Sequence, residues 1–114
     1  MNLILQPNNV RNTVIADRLV EDRLLNLVTR QPIEEAVIRY HEEPEASPRY
    51  TASVHLRIAG PDIHASACDH TLRVAVEKAL SEVERQVADR QERRRLKRRS
   101  QLQQPATART GRAW

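Results

Sequence analysis

Residues 51–58 constrain this chain more than any other stretch. Ala52, Val54, Leu56 and Ile58 alternate strictly with Thr51, Ser53, His55 and Arg57. That is the pattern of a strand in a sheet covered on one side and wet on the other. Ala59-Gly60-Pro61-Asp62 follows as a hairpin turn, with Gly supplying torsional freedom and Pro a fixed φ. Ile63, Ala65 and Ala67 then return along the same inner face. A one-sided sheet obliges the rest of the chain to supply its cover.

Two segments have the periodicity to do so. In residues 14–29, Ala16, Leu19, Val20, Leu24, Leu27 and Val28 recur at helical spacing, with Asp17, Arg18, Glu21, Asp22 and Arg23 mostly on the wet side. Thr13 is expected to cap this helix through its hydroxyl, and Gln31-Pro32 stops it. The second helix, capped by Asp69 or Thr71, carries a stripe of Leu72, Val76, Ala79, Leu80, Val83 and Val87. Beyond Val87 the stripe ends while helix-favouring Arg, Gln, Glu and Lys continue, so the helix is predicted to project past the core for two or three turns.

The remaining elements are shorter. Residues 2–6 form a brief apolar strand closed by Pro7 and Asn8-Asn9. Residues 33–41 form another, with Ala36, Ile38 and Tyr40 on one face and Arg39 and His41 on the other, and the proline-containing segment 42–49 is a loop. The predicted order is β-α-β-β-β-α, an α+β fold whose four-stranded sheet carries both helices on one face. Thr51, Ser53, His55, Arg57, His64 and Ser66 line the other, polar face. Residues 1–99 make one domain; residues 100–114, rich in Gln, Thr, Ala, Pro and Gly, are expected to be a disordered tail, with Trp114 exposed in it.

Composition narrows the partners. The chain has no Phe, and its aromatics are Tyr40, Tyr50 and Trp114, so the core is built from Val, Leu, Ile and Ala. Net charge is +4 and unevenly spread. Residues 1–50 hold six Arg against eight acids, a net of −2; residues 51–114 hold thirteen Lys or Arg against seven acids, a net of +6. Such a basic half suits an anionic partner. A single cysteine, Cys68, excludes an intramolecular disulfide and fits a reducing compartment. No run approaches the roughly 18 apolar residues of a membrane span, and the N-terminus lacks the basic start of a secretory signal. A soluble, cytoplasmic protein with no membrane partner is expected.

The candidate RNA-binding residues follow from the charge. Arg90, Arg93, Arg94, Arg95, Lys97, Arg98 and Arg99 crowd the end of the second helix, and Arg23, Arg73, Lys78 and Arg85 stand on exposed helix flanks. Neutralising phosphates with such residues releases counterions and dominates affinity for nucleic acid. Chemistry finds less support. His64, Cys68, Asp69 and His70 sit at a strand end where alternate residues face opposite ways, unlike a four-ligand zinc site. A Cys-His catalytic pair would need an orienting group and an oxyanion site, and neither is visible. No enzyme activity, cofactor, metal or small-molecule substrate is expected. His55 and Arg57 on the open face lack the aromatic neighbours of a base-stacking platform.

Segment 50–67, ending His64-Ala-Ser-Ala67, followed by Arg85-Gln86 in the next helix, resembles the ribosome hibernation-promoting factor family. That family includes the ribosome-associated inhibitors and is often labelled sigma-54 modulation protein. Asn9-Val10, Thr13, Arg23 and Leu27 resemble its first loop and helix, with Arg23 at a usually basic position. The similarity spans roughly residues 2–99. It implies a fold shaped like double-stranded RNA-binding domains, and binding in the decoding channel of the small ribosomal subunit, where messenger and transfer RNA are blocked. With only a short tail, the chain looks like a short-form member. It departs from the pattern at Thr71-Leu72-Arg73, at Glu82, Glu84 and Asp89 in the second helix, and in the acidic loop Glu42, Glu43 and Glu45.

The leading expectation is a non-enzymatic regulator that silences translation under stress or in stationary phase, with the small subunit and its rRNA as partner. The alternative is a protein-protein regulator that uses the same fold to bind a sigma factor or another protein; the acidic loop favours it. Self-association through an exposed strand edge is open to either.

Overall fold

Alternation and amphipathicity resolve into six elements: β1 (Asn2–Asn8), α1 (Val14–Val28), β2 (Glu35–Glu42), β3 (Tyr50–Arg57), β4 (Ile63–Asp69) and α2 (Leu72–Gln103). The computed structural model describes the backbone of residues 1–103 and the side chains of residues 1–99. The strands form one sheet in the order β1-β2-β3-β4, with β1 parallel to β2 and the other pairs antiparallel. A parallel neighbour needs a crossover, and α1 provides it. The β-α-β-β-β-α order and the four-stranded sheet are those the sequence predicts, and the structure adds the parallel β1–β2 pairing.

One face of the sheet is the core. Ala36, Ile38 and Tyr40 of β2, Ala52, Val54 and Leu56 of β3, and Ile63 and Ala65 of β4 are buried there in one cluster with Ala16, Val20, Leu24 and Leu27 of α1. All six members of the predicted α2 stripe are buried too, together with Ala75. In the absence of Phe, Tyr40 is the largest fully buried side chain. Its hydroxyl donates to Asp17 Oδ1 at 2.8 Å, while Thr13 Oγ1 donates to Asp17 Oδ2 at 2.9 Å. Burial, and then the Asp17 carboxylate, push the Tyr40 pKa well above its ordinary value.

That network corrects two details. Asp17 is half-buried and turned inward, not on the wet side, because a buried phenol needs an acceptor. Thr13 makes no side-chain cap, since its hydroxyl is spent on Asp17; the Val14 amide reaches Asn12 Oδ1 at 3.2 Å instead. At α2 the choice resolves to Thr71, whose Oγ1 accepts from the Val74 amide at 3.3 Å. Asp69 accepts the His70 amide at 2.7 Å and Lys78 Nζ at 2.6 Å.

Boundaries move at the ends of the chain. β1 runs two residues past its predicted end because pairing with β2 continues through Pro7 and Asn8, and Asn9 then turns the chain with φ 63°. Pro7 is tolerated because β1 is an edge strand. α2 continues to Gln103, past the expected domain end at residue 99; of the expected tail, residues 104–114, including Trp114, lie outside the described residues. Among the described residues no helix is long and apolar enough to cross a membrane.

Candidate nucleic-acid interface

The buried stripe of α2 turns cationic where the sheet ends. Val83, Val87, Arg90, Arg94 and Lys97 succeed one another at steps of four, three, four and three, so they share one helix face. Val83 and Val87 lie in the core. Arg90 is half-buried beside the β3–β4 turn, with Nη1 buried and without a hydrogen-bond partner. A Cβ built on Gly60, which has φ +87°, would stand 3.9 Å from that atom. Gln91 makes the last tie to the body, donating from Nε2 to the Arg30 carbonyl at 2.8 Å.

Beyond Gln91 the helix stands alone. Every side chain from 92 to 99 is exposed, and the backbone runs on to Gln103. Twelve residues at about 1.5 Å each give a rod of about 18 Å. Arg94 and Arg98, Arg95 and Arg99, and Arg93 and Lys97 are four apart and repel one another. The negative end of the helix dipole offsets part of that repulsion. Glu92 holds Arg95 at 2.8 Å and raises its pKa.

The other candidates divide by partner. Arg23 is joined to Glu84 by two hydrogen bonds, Nε to Oε2 at 2.9 Å and Nη2 to Oε1 at 2.5 Å, and Nη2 also reaches Ser81 Oγ at 3.1 Å. The Glu84 hydrogen bond raises the Arg23 pKa, and the pair clamps α1 to α2. Arg85 is held by Glu82 at 3.0 and 2.5 Å and by Asp89 at 2.7 Å. Arg85 and then Gln86 pull the Glu82 carboxyl down to about 2. Lys78 is bound to Asp69, which lowers the Asp69 pKa. Arg73, Arg93, Arg94, Lys97, Arg98 and Arg99 are exposed and make no ion pair among the described residues. Arg73 sits in the first turn of α2, about 30 Å from the rod by helix rise, so the eleven candidates form no single patch.

The residues that invited a metal or nucleophile reading are dispersed. His64 lies on the open sheet face, Cys68 is exposed with Sγ 3.4 Å from Thr51 Oγ1, and Asp69 is occupied by Lys78. Among the described residues no three His, Cys, Asp or Glu side chains are grouped to hold a metal. Reasoning from charge missed Gln86 and Gln91. Gln86 Nε2 bonds the His64 carbonyl at 3.2 Å and Glu82 Oε2 at 3.0 Å, and with Gln91 it fixes the direction in which α2 leaves the body. The Gln86 position stood beside Arg85 in the quoted motif; for Gln91 the sequence holds no signal.

The family model described as sigma 54 modulation protein / S30EA ribosomal protein matches residues 6–95. The chain belongs to that family. The match to the sigma 54 modulation / S30EA family runs from the end of β1 through α1, β2, β3, β4 and most of α2 and ends inside the rod, before Lys97, Arg98 and Arg99. Solved structures of similar shape include a ribosomal subunit interface protein from Coxiella burnetii, with TM-score 0.67 and 18% identity, covering 81% of this chain and 99% of that one. Another is the N-terminal domain of Thermus thermophilus Protein Y, with TM-score 0.65 and 24% identity, covering 76% and 96%. Both share the S30EA-family fold seen here. Comparison with curated proteins found none that matches the chain.

Proposed function

We propose that the protein is a non-enzymatic translation regulator that seats in the decoding channel of the small ribosomal subunit and stops translation under stress or in stationary phase. The observation that carries this reading is the rod of α2, an exposed helix end whose Arg93, Arg94, Lys97, Arg98 and Arg99 make no ion pair among the described residues. Membership in a family whose description includes a ribosomal protein supports it. So does the likeness in fold to a protein described as lying at the ribosomal subunit interface. The mechanism is occlusion: a rigid α/β body fills a channel, and the rod fixes it to rRNA phosphates. No chemical step is needed. Arg23, Lys78, Arg85 and Arg95 contribute less, because each gives up a carboxylate before it takes a phosphate.

Co-sedimentation with isolated small subunits at two salt concentrations tests the reading. The expected result is about one copy per subunit, weaker at the higher salt. Arg94→Gln, Lys97→Gln and Arg98→Gln together flatten the log–log salt slope by about two to three. No binding at the lower salt, or an unchanged slope, overturns it.

One observation favours the protein-protein alternative. α1 leaves Val14, Ile15 and Leu25 more than half exposed, at 58%, 66% and 60%. A partner bound there would hold on in high salt, and Leu25→Asp would release it where the triple Gln variant does not.

A further inference from the structure

We propose that the open face of the sheet binds an oxyanion of the phosphate class in a pit built on Arg39, Ser53 and His64. The strand register creates the pit. Val37, His55 and His64 lie side by side in one rung across β2, β3 and β4, and Arg39, Ser53 and Ser66 form the next rung on the same face. Val37, Arg39, Ser53, His55 and His64 line a cavity of 110 Å³ on the face opposite the helices. With a water's share of liquid volume at about 30 Å³, the pit takes an ion of a few oxygens and not a nucleobase.

Its donors are held ready. Arg39 Nε donates to Gln6 Oε1 at 2.8 Å, which orients the guanidinium and leaves its terminal nitrogens without a hydrogen bond among the described residues. Arg39 has no carboxylate partner among them either. The His64 ring stands edge-on to that of His55, with centroids 5.3 Å apart and planes at 72°. The Asp62 carboxylate is occupied by a lining residue, with Oδ2 2.8 Å from His55 Nε2. Arg57 and Glu35 neutralise each other one rung away at 3.7 Å. A guanidinium fork, a hydroxyl and an imidazole converging on a small hollow suit a tetrahedral oxyanion. The unpaired Arg39 disfavours a metal cation.

Arg39 and Ser53 also line a second hollow of 400 Å³ that continues toward His41 and Thr51. A chain carrying the phosphate has room to run along the sheet there. The phosphate therefore belongs either to an RNA backbone or to a free ion. Neither source depends on the rod of α2, which lies off the opposite side.

The test is an NMR titration of the full chain with inorganic phosphate, against sodium chloride at matched ionic strength. Saturable shifts are expected at Val37, Arg39, Ser53 and His64, weakened about tenfold in Arg39→Gln. Because Arg39 is exposed, the rest of the variant spectrum should stay in place and report an intact fold. A single-stranded RNA oligonucleotide, titrated into the Arg94→Gln, Lys97→Gln, Arg98→Gln protein, separates the sources. RNA shifts at the pit that vanish on adding Arg39→Gln assign a backbone phosphate. Phosphate shifts that RNA neither reproduces nor displaces assign a free ion. Shifts that follow ionic strength alone, or that persist unchanged in Arg39→Gln, overturn the proposal, as does silence from both ligands at the pit.

Discussion

A buried phenol and a half-buried carboxylate tie the first helix to the sheet. Tyr40→Phe leaves Asp17 with Thr13 alone and is expected to cost about 1–2 kcal/mol in urea unfolding, more than an exposed hydroxyl would. An unchanged midpoint would mean the bond contributes nothing. Glu82 offers a pH test. Its pKa falls on folding from the usual 4.5 to about 2, so its favourable contribution is complete above 4.5 and is lost as pH drops from there toward 2. A carboxyl NMR titration should place its midpoint near 2, and Arg85→Gln should return it toward 4.5. A parent midpoint at 4.5 would show that the Arg85 pairing does not persist in solution.

Among the elements, α2 divides most sharply between a part that builds the core and a part that does not. Leu80→Ala, a fully buried position, should cost about 2–5 kcal/mol. The triple Gln variant of the rod should shift stability by no more than about 0.5 kcal/mol, because those side chains are exposed and lie outside the core. Equal effects would mean the rod is packed. This division was legible in the sequence, since the stripe from Leu72 to Val87 and its abrupt end are local patterns with a helical period. The strict alternation of 51–58 was equally plain. Which cations are free was not legible. Arg23 meets Glu84 sixty-one residues away and Lys78 meets Asp69 across a turn, so a count of charge cannot separate them from Arg94. Asp17 likewise reads as surface until the fold brings Tyr40 above it.

At the scale of the molecule, α2 carries the chain about 18 Å beyond a compact body, from Gln91 to Gln103. A compact chain of about 100 residues has a radius near 13 Å. Small-angle X-ray scattering of the monomer should therefore exceed that value clearly, and a chain ended after Gln91 should fall toward it; a full-length value near 13 Å would mean the rod folds back. The detachment of the rod has an evolutionary meaning. Charges carried on core-bearing elements are entangled with folding, and each exchange there alters two properties at once. The side chains of residues 92–99 are exposed and take no part in the core, so mutation can raise, lower or redistribute their charge while the body keeps its stability. The charge of the rod and the foldability of the body are separable by mutation in this protein, and lineages are free to drift in the first without endangering the second.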